Sequence, residues 1–260
     1  MKLTLAQRSE EDKLKKFWSD SFGQEKAFID AFFEARREMN HCYIAKDDNG
    51  DIISMLNCLQ IGYTREMHTT PTSYIVGATT REDHRREGLM TRLIGLAHTE
   101  EHQILTTSAG MEPYFLHHGF YTAGQVAIYR LEGDPSGEIE DSTEDLATIY
   151  CNVTDKTGSI DRDDFAWKIV RQGSKAIVVN VDGERAYALV SGPVAFETMC
   201  EGEKSARALK AKMEKAAIHQ VWMPSQSPLS RLFTSTPALM PLGESNEESI
   251  CAGLYIAQQL

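Results

Sequence analysis

Hydrophobic and polar positions change period repeatedly along this chain, and each change marks an element. Lys2 to Ala6 alternates as a strand does. Glu10 to Phe22 places apolar residues at helical spacing, and Gly23 breaks the run. A second helix follows, with Phe28, Phe32 and Phe33 on one side. Cys42 to Lys46 alternates again. Asp48-Asn49-Gly50 then supplies a turn in which Asn and Gly tolerate positive φ, so Ile52 to Gln60 returns as the hairpin partner. After a polar link, Ser73 to Thr79 reads as a strand, Thr80 to Glu87 as a polar loop and Gly88 to about His102 as a helix. Ile104 to Ser108 is a short strand, Glu112 to His118 a short helix ended by Gly119, and Tyr121 to Leu131 a long strand.

Asp134-Pro135-Ser136-Gly137 is the expected boundary between residues 1–134 and 138–260. Beyond it the alternation repeats. Helices are predicted at Glu144 to Cys151 and Arg162 to Arg171, and a hairpin at Lys175 to Val181 and Arg185 to Ser191. A strand at Val194 to Cys200, a helix at Ser205 to Ala217 and a strand at Gln220 to Met223 follow, with an apolar segment at Ile250 to Ala257. Both halves thus carry helices, a hairpin, a strand, a helix and a strand. This predicts an α/β (α+β) fold, a mixed central sheet flanked by helices, built as two tandem units of one plan. The alternative is one such unit with an unrelated C-terminal lobe.

Composition narrows the class. The chain has 260 residues, 42% apolar and 25% charged, enough to bury a core without metals or disulfides. No apolar run approaches the roughly 20 residues that span a bilayer, and Met1 to Arg8 lacks a signal-peptide core, so a cytoplasmic protein with no membrane partner is expected. The five cysteines, Cys42, Cys58, Cys151, Cys200 and Cys251, contain no Cys-x-x-Cys pair, which argues for reduced thiols and against a zinc cluster. A net charge of −11 repels phosphate backbones, so no nucleic-acid partner is expected; it suits an amine substrate.

Tyr74 to Leu96 is the stretch that carries chemistry: a strand, a short basic turn with glycine, then a helix. The first amides of a helix point outward with partial positive charge, so a pyrophosphate there accepts several hydrogen bonds. Gly88 lets it approach the backbone, and Arg85 and Arg86 add fixed charge. The sequence lacks Gly-x-x-x-x-Gly-Lys and Gly-x-Gly-x-x-Gly, which argues against nucleotide hydrolysis or dinucleotide redox chemistry. His98 and His102 are spaced i, i+4 but lack the glutamate after the first histidine that a zinc protease needs, so no metal is expected. In the second half Glu201-Gly202-Glu203-Lys204 stands in place of the basic turn, and its carboxylates would repel a pyrophosphate.

Ile75-Val76-Gly77-Ala78-Thr79 followed by Arg85-Arg86-Glu87-Gly88-Leu89-Met90 resembles the GCN5-related N-acetyltransferase (GNAT) superfamily, whose loop reads Arg or Gln, two residues, Gly, one residue, then Gly or Ala. Met90 departs from that pattern. Phe22-Gly23, Phe28 to Phe33, Ser54-Met55-Leu56 and His118-Gly119-Phe120 are similar to the branch of the enhanced intracellular survival acetyltransferases, which join two acetyltransferase-type units. The resemblance implies acetyl-CoA as co-substrate, with Val76, Ala78 and Thr79 along its pantetheine arm. It implies that the turn Arg85, Arg86, Glu87, Gly88, Leu89, Met90 and Thr91 holds the pyrophosphate. It also implies N-acetyl transfer to a primary amine, small molecule or peptide, by direct attack; the alternative is a CoA-binding sensor or scaffold without catalysis. A homo-oligomer is compatible with all of this. The superfamily's acid is a tyrosine four residues before a Gly-Phe pair. Here that position is Phe115, and Tyr114 is the nearest candidate, with His117, His118 and Tyr121 behind it and Glu112 a candidate to orient or deprotonate the amine. That branch can use its C-terminal carboxylate as base, a role not carried over to Leu260.

Overall fold

The computed structural model describes residues 1–38, 40–98, 103–106 and 111–244. The first half runs β1 (Lys2–Leu5), α1 (Glu11–Phe22), α2 (Lys26–Ala35), β2 (Asn40–Lys46), β3 (Ile52–Arg65), β4 (His68–Thr80), α3 (Leu89–Ala97), β5 (Gln103–Thr106), α4 (Glu112–His117) and β6 (Tyr121–Arg130). The second runs α5 (Ala147–Thr154), β7 (Ser159–Ile160), α6 (Asp164–Arg171), β8 (Lys175–Val181), β9 (Glu184–Ser191), β10 (Val194–Cys200), α7 (Glu203–Glu214), β11 (Gln220–Pro224) and β12 (Ala238–Glu244). The expected mixed sheet flanked by helices is present, and Gly23 ends α1 in the left-handed conformation, φ 66°.

Three differences from the periodicity have physical causes. The polar link after Gln60 is instead the two arms of one long hairpin, paired from Ser54↔Thr80 out to Arg65↔His68 and turned at Glu66 and Met67, with φ 49° and 60°. Its mostly polar residues hid the strands: Tyr63 and Thr72 are buried, but the tip from Glu66 to Pro71 is exposed and carries no period. α5 begins at Ala147 rather than Glu144, where the Asp145 carboxylate accepts from the Ala147 amide at 2.9 Å. β12 carries a proline and a glycine, Pro241 and Gly243, which mask a strand signal. Part of the helix predicted to His102, and the segment from Ile250 to Ala257, lie outside the described residues.

All twelve strands form one sheet in the order β1-β2-β3-β4-β5-β12-β6-β11-β10-β9-β8, with β7 beside β3. Each half holds an antiparallel meander ending in a parallel pair: β4 with β5, joined through α3, and β10 with β11, joined through α7. The centre is shared reciprocally. β12, from the second half, pairs with β5 of the first, Leu242↔Thr106. β6, from the first half, pairs with β11 of the second, Val126↔Pro224 to Arg130↔Gln220. β12 and β6 then pair with each other from Ala238↔Ile128 to Glu244↔Tyr121. Each half therefore supplies the strand that covers the other's parallel pair.

One face of the sheet carries a single apolar core. It runs from Leu14, Trp18, Phe32 and Phe33 of α1 and α2 to Ile149, Tyr150 and Val170 of α5 and α6. The opposite face divides in two: α3 covers Leu56, Cys58, Ile75 and Leu105, and α7 covers Ala186, Ala188 and Val221. On the shared face, Arg36 at the end of α2 pairs bidentately with Asp163, the cap of α6, at 2.5 and 3.0 Å, which holds the Asp163 carboxyl below the usual carboxylate range. Deeper in the second half, Arg162 and Glu197 form a bidentate pair at 2.8 and 2.5 Å with almost no side-chain exposure. The Tyr187 hydroxyl donates to Glu197 at 2.6 Å, and the guanidinium lies over Tyr150 and Trp167 at 4.2 and 4.8 Å. Removing either charge would strand the other, at about 3–5 kcal/mol.

The shared centre has a direct consequence for fragments. Residues 1–134 expressed alone leave β5 and β6 with bare edges and should give no cooperative thermal unfolding by circular dichroism. Mixing with residues 138–260 should restore a single transition. A cooperative melt of the first fragment by itself would show that the exchanged strands are dispensable.

Candidate active site

The site begins at the end of a parallel pair. Among the described residues β4 and β5 pair from Ser73↔Gln103 to Ile75↔Leu105, and β4 runs on from Val76 to Thr80 with no described partner on that edge. At the same level β4 bulges against β3: Asn57 faces Val76 and Met55 faces Thr79, leaving Gly77 and Ala78 opposite Leu56 alone. Gly77 adopts φ 62°, and a Cβ there would lie 2.4 Å from Cζ3 of Trp18. The indole of α1, buried and anchored by an Nε1–H donated to Gln24, is what fills the bulge.

Beside this stretch of β4 lies a cleft of about 490 Å³, bounded by β4, the turn into α3, the first turn of α3, and α4. Arg86 and Gly88 are both left-handed, φ 67° and 71°, which turns the chain sharply into α3. No side chain caps that helix, so its first amides stay open to an outside acceptor. A Cβ on Gly88 would meet nothing within 4 Å, so the backbone faces open space. The turn is braced from behind: His84 joins Arg81 at 2.8 Å and Glu87 at 3.1 Å, and Arg85 Nε donates to the Thr80 carbonyl at 3.4 Å.

Of the residues singled out in the sequence, Ala78, Thr79, Arg85, Arg86, Gly88, Leu89, Met90, Thr91 and Tyr114 line this cleft. Val76 packs instead against the core under α1 and α2, and Glu87 turns its carboxylate to His84. Thr80, His84 and Met111 line it without having been singled out. Thr80 and His84 sit inside the predicted loop, and their only signal was position between the strand and Gly88.

α4 has Pro113 in its first turn, at home there because its missing N–H has no partner to lose. Tyr114 and Phe115 both line the cleft, their rings 5.3 Å apart and edge-on. Phe115 continues into the core through Phe120 at 5.8 Å, whereas Tyr114 meets the His118 ring at 4.5 Å. His118 Nε2 lies 3.2 Å from the Thr91 hydroxyl. Glu112 accepts from the Thr122 hydroxyl at 2.9 Å and does not line the cleft. His117 and Tyr121 are exposed outside it, and His98 bonds Gln103 at 2.6 Å. His102 lies outside the described residues.

The second half meets the same physics differently. α7 follows its strand as α3 follows β4, but the Glu184 carboxylate of β9 accepts from the Lys204 and Ser205 amides at 2.9 and 3.3 Å. Its helix start is already occupied by the chain's own anion, and a Cβ on Gly202 would lie 2.2 Å from that carboxylate. A smaller cavity of about 220 Å³ lies at the seam, lined by Thr122 to Gln125, Thr157 and Pro224 to Gln226. Its strand, β6, is three strands from β4, roughly 14 Å, too far to present a group to the stretch of β4 beyond Ile75.

The bulge yields a test. Gly77→Ala should destabilise the protein by about 2–4 kcal/mol, combining a left-handed alanine with a clash against Trp18. In a Trp18→Ala background only the backbone cost, about 1–2 kcal/mol, should remain. Urea unfolding of the four proteins of this cycle measures the difference, and strict additivity would mean that the indole does not fill the bulge.

Residues 2–108 match the model of the acetyltransferase (GNAT) domain. No curated protein matches the chain. Among solved structures, it superposes on a probable N-acyltransferase from Enterococcus faecalis V583 with TM-score 0.68 and 12% identity, over 94% of this chain and 72% of that one. It superposes on Eis1 from Mycobacterium abscessus with TM-score 0.62 and 18% identity, over 93% and 73%. A putative acetyltransferase from Pyrococcus horikoshii gives 0.59 and 13%, over 100% and 95%. At these identities the likeness is one of fold, and it extends across both halves of the sheet. Residues 2–108 thus match the GNAT acetyltransferase domain, and the fold of the chain is that of solved acetyltransferase-type structures across both halves of the sheet.

Proposed function

We propose that this protein transfers the acetyl group of acetyl-CoA to a primary amine, small molecule or peptide, by direct attack, in its first half alone. The observation that carries the reading is the uncapped start of α3 behind Arg86 and Gly88, opening on a cleft that leads to the edge of β4 beyond Ile75. There the α3 amides and the Arg85 and Arg86 charges hold the pyrophosphate. The pantetheine arm runs along Ala78 and Thr79, hydrogen-bonding the edge of β4 beyond its described pairing with β5. The amine nitrogen attacks the thioester carbonyl, the C–S bond breaks, and the thiolate takes a proton from Tyr114, the tyrosine of α4 that lines the cleft. The ammonium formed on the acceptor loses its proton to solvent or, through water, to Glu112.

Residues 1–134 form the acetyl-CoA unit and 138–260 a degenerate second copy of the plan, sharing strands across the sheet centre. The Glu184 carboxylate at the start of α7 supports this division of labour. Among the described residues no helix is long and apolar enough to cross a membrane, and no group of three His, Cys, Asp or Glu is placed to hold a metal.

Two experiments test the reading. Gly88→Glu places a side chain and a negative charge where the pyrophosphate would lie, so calorimetry should show acetyl-CoA binding abolished while the melting transition is kept. Unchanged affinity in that variant would remove the site from the turn. Tyr114→Phe should lower kcat by about 10²-fold with acetyl-CoA affinity little changed, followed as free CoA released with a panel of amines. Normal turnover in that variant leaves water as the donor.

A further inference from the structure

His118 is not among the residues lining the cleft, yet it touches two groups that are. Its Nε2 lies 3.2 Å from the hydroxyl of Thr91, and its ring meets Tyr114 at 4.5 Å. Thr91 is the third residue of α3, so its amide is one of the open donors and its hydroxyl stands beside them. The contact can be made in two senses. A neutral imidazole with a bare Nε2 accepts the Thr91 proton and turns that hydroxyl away from the cleft. An imidazole carrying a proton on Nε2 donates to Thr91 Oγ1 and frees the hydroxyl proton for an acceptor in the cleft. The imidazolium can only donate.

Resting on the proposed cofactor site, we infer that His118 is a positioning residue that aims the Thr91 hydroxyl at the cofactor pyrophosphate, and that cofactor binding is thereby linked to proton uptake at His118. The surroundings suit such a role. Burial, with the neighbouring His117 on α4 and His98 on α3, holds His118 below the ordinary imidazole range, so the free protein carries it neutral near pH 7. The groups facing it are Thr91 and His98 from α3 and Tyr114 and His117 from its own helix, and no carboxylate pairs with it among the described residues. A bound pyrophosphate supplies an anion that the described residues around His118 do not. It favours the charged imidazole directly, across one hydroxyl, and by selecting the donating sense of the hydrogen bond. The sign follows: the protonated form binds the cofactor more tightly, so affinity rises as pH falls and declines as His118 loses its proton.

Dephospho-coenzyme A is the suitable probe, because its pyrophosphate stays ionised throughout the range and it lacks the 3′-phosphate that would itself titrate. Calorimetric titrations from pH 5.5 to 8.5 should show affinity falling about tenfold as pH rises, with net proton uptake read from the dependence of the heat on buffer ionisation enthalpy. His118→Gln keeps a donor toward Thr91 and cannot titrate, so it should bind within about threefold of the parent at pH 8 with no slope and no proton uptake. Thr91→Val, at an exposed position where folding is not at stake, should also flatten the slope. A flat profile in the parent, or a slope that persists in His118→Gln or Thr91→Val, overturns the inference while leaving the cofactor site standing. Failure of the parent to bind the probe at any pH overturns both.

Discussion

A strand inside a sheet needs partners on both edges, and here neither half of the chain can supply them alone. β5 is four residues long and β11 five, too short to hold their places by one-sided pairing with β4 and β10. β12 and β6 cover them, each arriving from the other half, and then bond to each other. The position of β5 is therefore set partly by residues more than a hundred positions further along. β12 fastens β5 along the edge opposite β4, so β5 is held even though its described pairing with β4 spans only three residue pairs. The opening that receives the pantetheine arm in the proposed reading depends on this lock. So does the continuous core on one face, which ties α1 and α2 to α5 and α6 and is reinforced by Arg36 and Asp163.

The two halves start from one plan and end with opposite electrostatics. Both place a helix after the last strand of the meander, and both helices begin with amides in need of acceptors. At α3 the neighbours are Arg85 and Arg86, the backbone is left-handed at Arg86 and Gly88, and the acceptors must come from outside. At α7 Gly202 is extended, and Glu184 reaches from the adjacent strand to satisfy the amides. An incoming pyrophosphate would have to displace a carboxylate and then sit beside it and Glu201, a like-charge contact with no compensating cation in place. Arg185 is already committed to Glu201, to which it donates from backbone and side chain at 2.8 and 3.0 Å.

Most of the elements were legible because they bury one face, and burial imposes a period. Helices α1, α2 and α6 and the hairpin β8–β9 follow their hydrophobic spacing closely. What escaped was what burial does not write. The outer arms of β3 and β4 put few apolar residues beside Tyr63 in the core and end in an exposed tip, and β12 is recognisable only by the gap it fills. The basic turn was legible as geometry: Arg85, Arg86 and Gly88 stand between strand and helix, where the sequence context put them. Val76 was misdirected by the bulge. The extra residue changes which side chain points to which face, and a glycine in a strand announces a bulge without saying how the pleat resumes. Trp18, sixty residues from Gly77, had no local signal tying it to the site.

The choice between Tyr114 and Phe115 shows how much of the chemistry depends on the start of a short helix. Successive helical residues point about 100° apart, so a narrow site would see only one of them. Here both line the cleft, because α4 begins at its margin and presents its first turn rather than one face. Their surroundings then divide the work. Phe115 closes against Phe120 and belongs to the apolar core that α3 covers. Tyr114 is set against His118, and His118 against Thr91 in the first turn of α3. Both rings pack against the cluster that α3 covers, so the two positions differ in their other neighbours: Phe115 meets Phe120, whereas Tyr114, the proton donor in the proposed reading, is joined through one imidazole to Thr91.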